Sequence, residues 1–294
     1  MSDRRLDIGI ASYGNPAGLA ACLASIKATS RTDWRLFIMQ NPHPDAETNR
    51  QVDRVISYAR EVGMSGDKIT VVHMPTNVGY TGAVNEFFSR ATTEYLAYCD
   101  HDVVIHTDGW DEQLASVLDR FHEVGMVFPN GGAYPINRGE YTEILWGVGC
   151  CWMLPRVLAA DVGLFDTVIG HHEEVDYQTR VRLQGRRIAS VPGVAVHHAA
   201  VASSDQASQA RISKGVIAWV NKWCAYFGGT SLNYFSPNVL RHEDWPPSAL
   251  YLEEYFKQYV PELNADPEVR VINGMEYDLI KVPRYKGFYR NRII

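Results

Sequence analysis

The residues best placed to do chemistry are Asp100-His101-Asp102, which end an apolar run, Tyr95-Leu96-Ala97-Tyr98-Cys99. In an extended chain residues i and i+2 share a face, so the two carboxylates point the same way. A turn at the end of a strand can converge them on one point. Two such oxygens suit a hard divalent cation, Mg²⁺ or Mn²⁺, whose other ligands are water and phosphate oxygens. The same pair could equally end a strand or cap the next segment, and a three-residue motif does not choose. A second acidic cluster, Glu173-Glu174-Val175-Asp176, opens a helical face formed by Val175, Thr179 and Leu183 that stops at Gly185. Acids at this position also stabilise a helix dipole. His171-His172 lack a third ligand at zinc spacing and are expected in a solvated loop.

Strands are predicted at residues 6–13, 34–39, 68–74 and 95–99, alternating with helices at 16–27, 47–62 and 78–91. Gly14-Asn15-Pro16 supplies a turn, with Pro16 suited to the first helical position. This alternation implies right-handed βαβ units and a mainly parallel sheet. Ligands on such sheets lie beyond the carboxyl ends of the strands, where the two aspartates fall. Further on, helices are predicted at 110–121 and 155–162, and strands at 124–129, 143–154, 187–191 and 194–196. Gly147 and Gly149 interrupt the apolar 143–154 stretch, as in a buried strand that approaches a ligand or another backbone closely. The composition changes at Ser203-Ser204-Asp205-Gln206, which places a boundary near residue 204. Residues 207–227 look helical, the remainder is aromatic and irregular, and the end is basic and aromatic.

With 294 residues, 46% hydrophobic and 11% aromatic, the chain has material for one large α/β domain with an appendage. A net charge of −6 argues against a general nucleic-acid binder. The five cysteines form no C-x-x-C and read as reduced core residues of a cytosolic protein. No run approaches the length needed to span a membrane.

Four blocks in order resemble the GT-A-fold glycosyltransferases of family 2 across residues 6–203: Ile10-Ala11-Ser12-Tyr13-Gly14-Asn15, then Asn77-Val78-Gly79-Tyr80-Thr81-Gly82-Ala83-Val84-Asn85, then Asp100-His101-Asp102, and last Gly163-Leu164-Phe165-Asp166 with Glu173-Glu174-Val175-Asp176 and Arg180. The resemblance implies an α/β, Rossmann-like fold with a mainly parallel central sheet flanked by helices. A nucleotide-sugar half would occupy 1–103, an acceptor half 104–204, and a C-terminal helical and irregular extension 205–294. The implied nucleotide contacts are Ala11, Ser12, Tyr13, Gln40, Asn41, Asn77, Gly79, Gly82, Asn85, Asp100 and His101. The implied ligands of Mn²⁺ or Mg²⁺ are Asp100, Asp102 and His198, the last in the register of the family's P-x-x-x-x-x-H. Transfer with inversion needs a base for the acceptor hydroxyl. The resemblance places it at Glu174, with Glu173 as a competitor because the family's usual residue is Asp, and gives Asp176 the task of orienting the loop. Where the family has Asp-Asn after the second strand, this chain has Gln40-Asn41. An amide still offers a donor and an acceptor to a base, so UDP-, dTDP- and GDP-sugars all stay open. The Asn77–Asn85 block is most like that of rhamnosyl- and galactofuranosyl-type members.

The acceptor, a glycan, a lipid-linked molecule or another hydroxyl compound, is less legible. Trp146, Trp152 and Tyr134 could stack on a sugar or simply fill the core. The basic tail could attract an anionic acceptor, nucleic acid included, or sit at a membrane surface. Packing on the domain or on a second subunit of a homo-oligomer is the alternative. A nucleotidyltransferase, a retaining transferase on the same fold and an inactive nucleotide-sugar-binding module also stay open. The first is disfavoured because residues 11–15 lack its glycine-rich basic signature.

Overall fold

The structure, a computed structural model, describes residues 5–64, 68–129, 131–132, 135–170, 172–199, 218–219, 222, 269–272 and 275–278. The first half runs β1 (Arg5–Ser12), α1 (Pro16–Thr29), β2 (Asp33–Gln40), α2 (Ala46–Glu61), β3 (Ile69–His73), α3 (Gly79–Arg90) and β4 (Tyr95–Asp100). Helix starts follow local chemistry. Pro16 opens α1 while the Asn15 side chain accepts from the Gly18 amide, and Asp45 accepts from the amides of Glu47 and Thr48 at the start of α2.

The second half continues with β5 (Val103–Ile105), α4 (Trp110–Arg120), β6 (Val124–Phe128), β7 (Ile136–Asn137), β8 (Thr142–Glu143), β9 (Cys151–Pro155), α5 (Arg156–Val162), α6 (Glu173–Leu183), β10 (Arg187–Ser190) and β11 (Val196–His198). A separate hairpin comprises β12 (Val269–Ile272) and β13 (Met275–Asp278).

Nine strands form one sheet in the order β3-β2-β1-β4-β9-β6-β10-β8-β7. The strands β3, β2, β1 and β4 are mutually parallel, as are β6 and β10. Strand β9 runs antiparallel between β4 and β6. The result is an α/β fold with a mixed, mostly parallel sheet. Strand β4 is buried on both faces, which is why it reads as an unbroken apolar run. Tyr95, Ala97 and Cys99 pack with α1, α2 and α4, whereas Leu96 and Tyr98 pack with α3, α5 and α6. Cys22, Cys99, Cys150 and Cys151 are free thiols within this core. Asp7, fully buried in β1, takes two 2.8 Å hydrogen bonds from Arg35 of β2 and one each from the amides of Thr92 and Thr93, tying three segments together.

The strand predicted at 143–154 is divided. Only Thr142–Glu143 and Cys151–Pro155 are strands, and 144–150 is a loop. Its apolar composition reflects burial: Ile144 and Leu145 are buried, and both oxygen and amide of the Gln178 side chain hold the backbone of Gly147. Periodicity alone does not separate such a buried loop from a buried strand. Trp152 lies fully buried, stacked on Tyr98, as a core residue. His172, expected in a solvated loop, is also buried, and its backbone is left-handed (φ 66°) at the start of α6. Of the helix expected at 207–227, Ala218, Trp219 and Lys222 are described, and all three are helical. The boundary near 204, His171, Tyr134, Cys224 and the basic tail lie outside the described residues. No helix among the described residues is long and apolar enough to cross a membrane.

Candidate active site

The carboxyl end of β4 delivers Asp100 to the sheet edge, and the chain turns through His101 to Asp102. Tyr98, two residues back on the same face, donates a 2.8 Å hydrogen bond to Asp100 Oδ1. His101 Nδ1 lies 3.1 Å from the Ala11 carbonyl, fastening the turn to the end of β1. Gly18 in the first turn of α1 packs against Asp102, since a Cβ there would lie 3.1 Å from Asp102 Cβ.

The third member of the cluster comes from nearly a hundred residues away. Strand β11 pairs antiparallel with β5 and sets His198 opposite Val103, next to Asp102. The Ala199 amide donates to the Asp102 carbonyl, and Thr107 braces the pairing through Gly193 and Ala195. His198 Nε2 consequently lies 3.1 Å from Asp102 Oδ1 and 3.4 Å from Asp100 Oδ2. Ligand atoms from Asp100, Asp102 and His198 fall within 4.8 Å of one another. Two carboxylates and one imidazole are a donor set that suits Mn²⁺. The electrostatics fit a cation as well. Burial, and then the nearby charges of Asp102 and Glu174, push Asp100 up to about 7 against the pull of the Tyr98 hydrogen bond.

Glu174 sits in the first turn of α6, half-buried, with its pKa raised by burial. Its side chain lies against Gly149, where a Cβ would stand 2.8 Å from Glu174 Cγ. The glycine pair that interrupts the apolar stretch therefore serves α6: Gly147 is held by Gln178 and Gly149 makes room for Glu174. The Gln178 clamp carries no signature in the sequence; its only trace is an amide on the buried face of a helix. Glu173 precedes Glu174 on the same turn. Asp176 is fully buried, with Oδ2 3.1 Å from Arg180 Nε and Oδ1 2.5 Å from Lys222 Nζ. It is spent on holding the helix.

The other residues expected at the nucleotide divide in two. Ser12 and Gln40 are register partners at the ends of β1 and β2. Both are buried, and neither Ser12 Oγ nor Gln40 Oε1 has a partner among the described residues, while Gln40 Nε2 donates to Asp53. Tyr13 is exposed beside them, its ring 5.1 Å from that of His43. Of the three, Tyr13 is the accessible one, and the two unpartnered oxygens are enclosed. By contrast, Asn41 Oδ1 accepts from the Val78 amide, and Asn77 Oδ1 from the Gly79 amide in a turn where Gly79 is left-handed (φ 69°). Gly82 in α3 faces Val78. Asn85 uses both ends of its amide on the backbone of Phe165, at 2.9 and 2.7 Å. These five residues shape the segments at the carboxyl ends of the strands, and Asn85 fastens α3 to the loop ahead of α6.

The family profile of glycosyl transferase family 2 matches residues 7–163. A comparison with curated protein sequences returns no significant match. Among solved structures, the fold resembles the mannosyltransferase PcManGT from Pyrobaculum calidifontis, in complex with GDP-Man and Mn²⁺ (TM-score 0.60, 15% identity, 90% of this chain and 71% of that one). It also resembles GalNAc-T7 with UDP, GalNAc and Mn²⁺ (TM-score 0.59, 12% identity, 87% and 55% of the two chains). A third likeness is to TarS from S. aureus (TM-score 0.56, 14% identity, 75% and 40%). This chain thus spans less than two thirds of the last two proteins, and at these identities the likeness shows the fold alone. With more than half of its length matched by the family profile, the chain belongs to glycosyl transferase family 2.

Proposed function

We propose that the protein is a divalent-metal-dependent, inverting glycosyltransferase that moves a hexosyl or deoxyhexosyl group from a nucleoside-diphosphate sugar to an acceptor hydroxyl. The observation that carries this reading is the convergence of Asp100, Asp102 and His198 within 4.8 Å at a strand end, facing a carboxylate, Glu174, close enough to perturb Asp100. A divalent cation held by those three residues would neutralise charge developing on the leaving diphosphate.

The remaining work belongs to the chain itself. Tyr13, exposed just beyond β1, offers a face to the nucleotide base. Glu174 removes the proton of the acceptor hydroxyl as that oxygen bonds to the anomeric carbon and the bond from that carbon to the diphosphate oxygen breaks. Burial raises the Glu174 pKa, which strengthens it as a base. The structures of PcManGT with GDP-Man and Mn²⁺ and of GalNAc-T7 with UDP and Mn²⁺ support the same donor class.

A thermal-shift panel of UDP, dTDP, GDP and their sugars, with and without Mn²⁺, tests the reading. A ligand of the native state raises the melting temperature by mass action. One nucleotide should stabilise the protein only with metal present, and its sugar should be consumed. Absence of stabilisation by every nucleotide with Mn²⁺ would overturn the proposal.

A further inference from the structure

We infer that Lys222, which lies beyond the span matched by the family profile, is a positioning residue for the reacting carboxylate. Its buried ammonium joins the loop after α5 to the first turn of α6 and so holds Glu174 at the donor site. This rests on the reading of Glu174 as the base.

Lys222 is only 3% exposed. Its Nζ lies 2.5 Å from Asp176 Oδ1 and 3.2 Å from Asp166 Oδ2, and both acids are themselves buried. One ammonium therefore bridges two carboxylates carried by two different elements. Asp166 belongs to the loop that Asn85 clamps at Phe165, and its other oxygen accepts from the Val168 amide at 3.0 Å. Asp176 is two residues beyond Glu174, and its second oxygen accepts from Arg180, which in turn donates to the Val162 carbonyl at the end of α5. The network runs from α5 through the loop to α6, and Lys222 is the member contributed from outside that half of the fold.

Anchoring the segment that carries Lys222 does not require a lysine. Trp219, fully buried one turn earlier, already supplies an apolar anchor, and a charge taken into the interior is favourable only when closely paired. An aliphatic residue at 222 would dock the segment at lower desolvation cost. What a lysine adds is a directional link between two acids. That link matters because Asp176 lies in the first turn of α6, two residues beyond Glu174. The first turn, Glu174 included, packs against Gly149 and is tied through the Asp176 network.

The test compares full-length wild type, Lys222→Met and Lys222→Arg. In Lys222→Met, backbone amides of residues 163–170 and 173–183 should exchange at least about tenfold faster, while β1–β4 keep their protection. Mn²⁺ affinity, read by calorimetry, should be unchanged. With a donor that the wild type consumes, kcat should fall by up to about 10²-fold at constant donor KM, as displacement of a reacting group by about an ångström does. Lys222→Arg, which keeps the bridging charge, should recover most of both effects. Unchanged exchange in 163–183, a wild-type kcat in Lys222→Met, or a uniform loss of protection that includes β1–β4 together with loss of Mn²⁺ binding would each overturn the inference. If the wild type consumes no donor, the transferase reading fails by itself, and the exchange data alone decide the role of Lys222.

Discussion

Titrating Mn²⁺ into the metal-free protein at pH 8, 7 and 6 tests the electrostatics of the Asp100–Asp102–His198 cluster. Burial and the flanking carboxylates hold Asp100 at about 7 rather than at the ordinary 3.8. A proton on that carboxyl competes directly with the cation. The apparent dissociation constant is multiplied by 1 + 10^(pKa − pH), a factor of about 11 at pH 6 and about 1.1 at pH 8. Affinity should therefore weaken about tenfold over this range, with close to one proton released per ion at the acid end. The sign for stability follows from the same shift. The native state binds more protons than the unfolded chain between the ordinary carboxylate range and pH 7, so the metal-free protein loses stability as pH rises through that window, and Mn²⁺ reverses the trend. Calorimetry in two buffers of different protonation enthalpy counts the protons. The series is repeated in His198→Gln, where the slope that remains belongs to the carboxylates. Tyr98→Phe removes the hydrogen bond that lowers the Asp100 pKa and should move the midpoint to higher pH. An affinity that is constant from pH 6 to 8, or binding without proton release, would refute the reasoning.

Glu174→Gln should lower kcat by about 10²-fold or more, the usual cost of losing a general base, while calorimetry finds Mn²⁺ affinity preserved. In Gly149→Ala the new Cβ would stand 2.8 Å from Glu174 Cγ, so the carboxylate must move; kcat should drop with the unfolding midpoint little changed. Asn85→Ala deletes both hydrogen bonds to Phe165 and should cost about 1–3 kcal/mol in urea unfolding. Asp7→Ala leaves Arg35 and two amides without their shared acceptor; a loss of about 3 kcal/mol of stability, with Mn²⁺ affinity intact, is expected.

Local chemistry made much of this protein legible from its residues. The alternation of strands and helices, Pro16 at a helix start and Gly185, left-handed at φ 75° just after α6, depend on neighbours within a few positions. The same is true of the Asp100-His101-Asp102 strand end. The failures had one cause. The buried loop at 144–150 reads as a strand, because burial against α6 and strand pairing leave the same apolar composition. His172 reads as solvated, because nothing nearby in sequence reveals what covers it. The clasp of the Asn85 amide on the backbone of Phe165, eighty residues away, likewise leaves no local trace. Residue types and order establish membership of a transferase family and the acids that could serve it. Only the tertiary structure decided which polar groups are spent on the scaffold and which stay open, since hydrogen-bond partners, desolvation and charge proximity are set by segments distant in the chain. Asp176, bound to Arg180 and to Lys222, and Asp100, raised by burial and by Glu174, owe their states to that assembly.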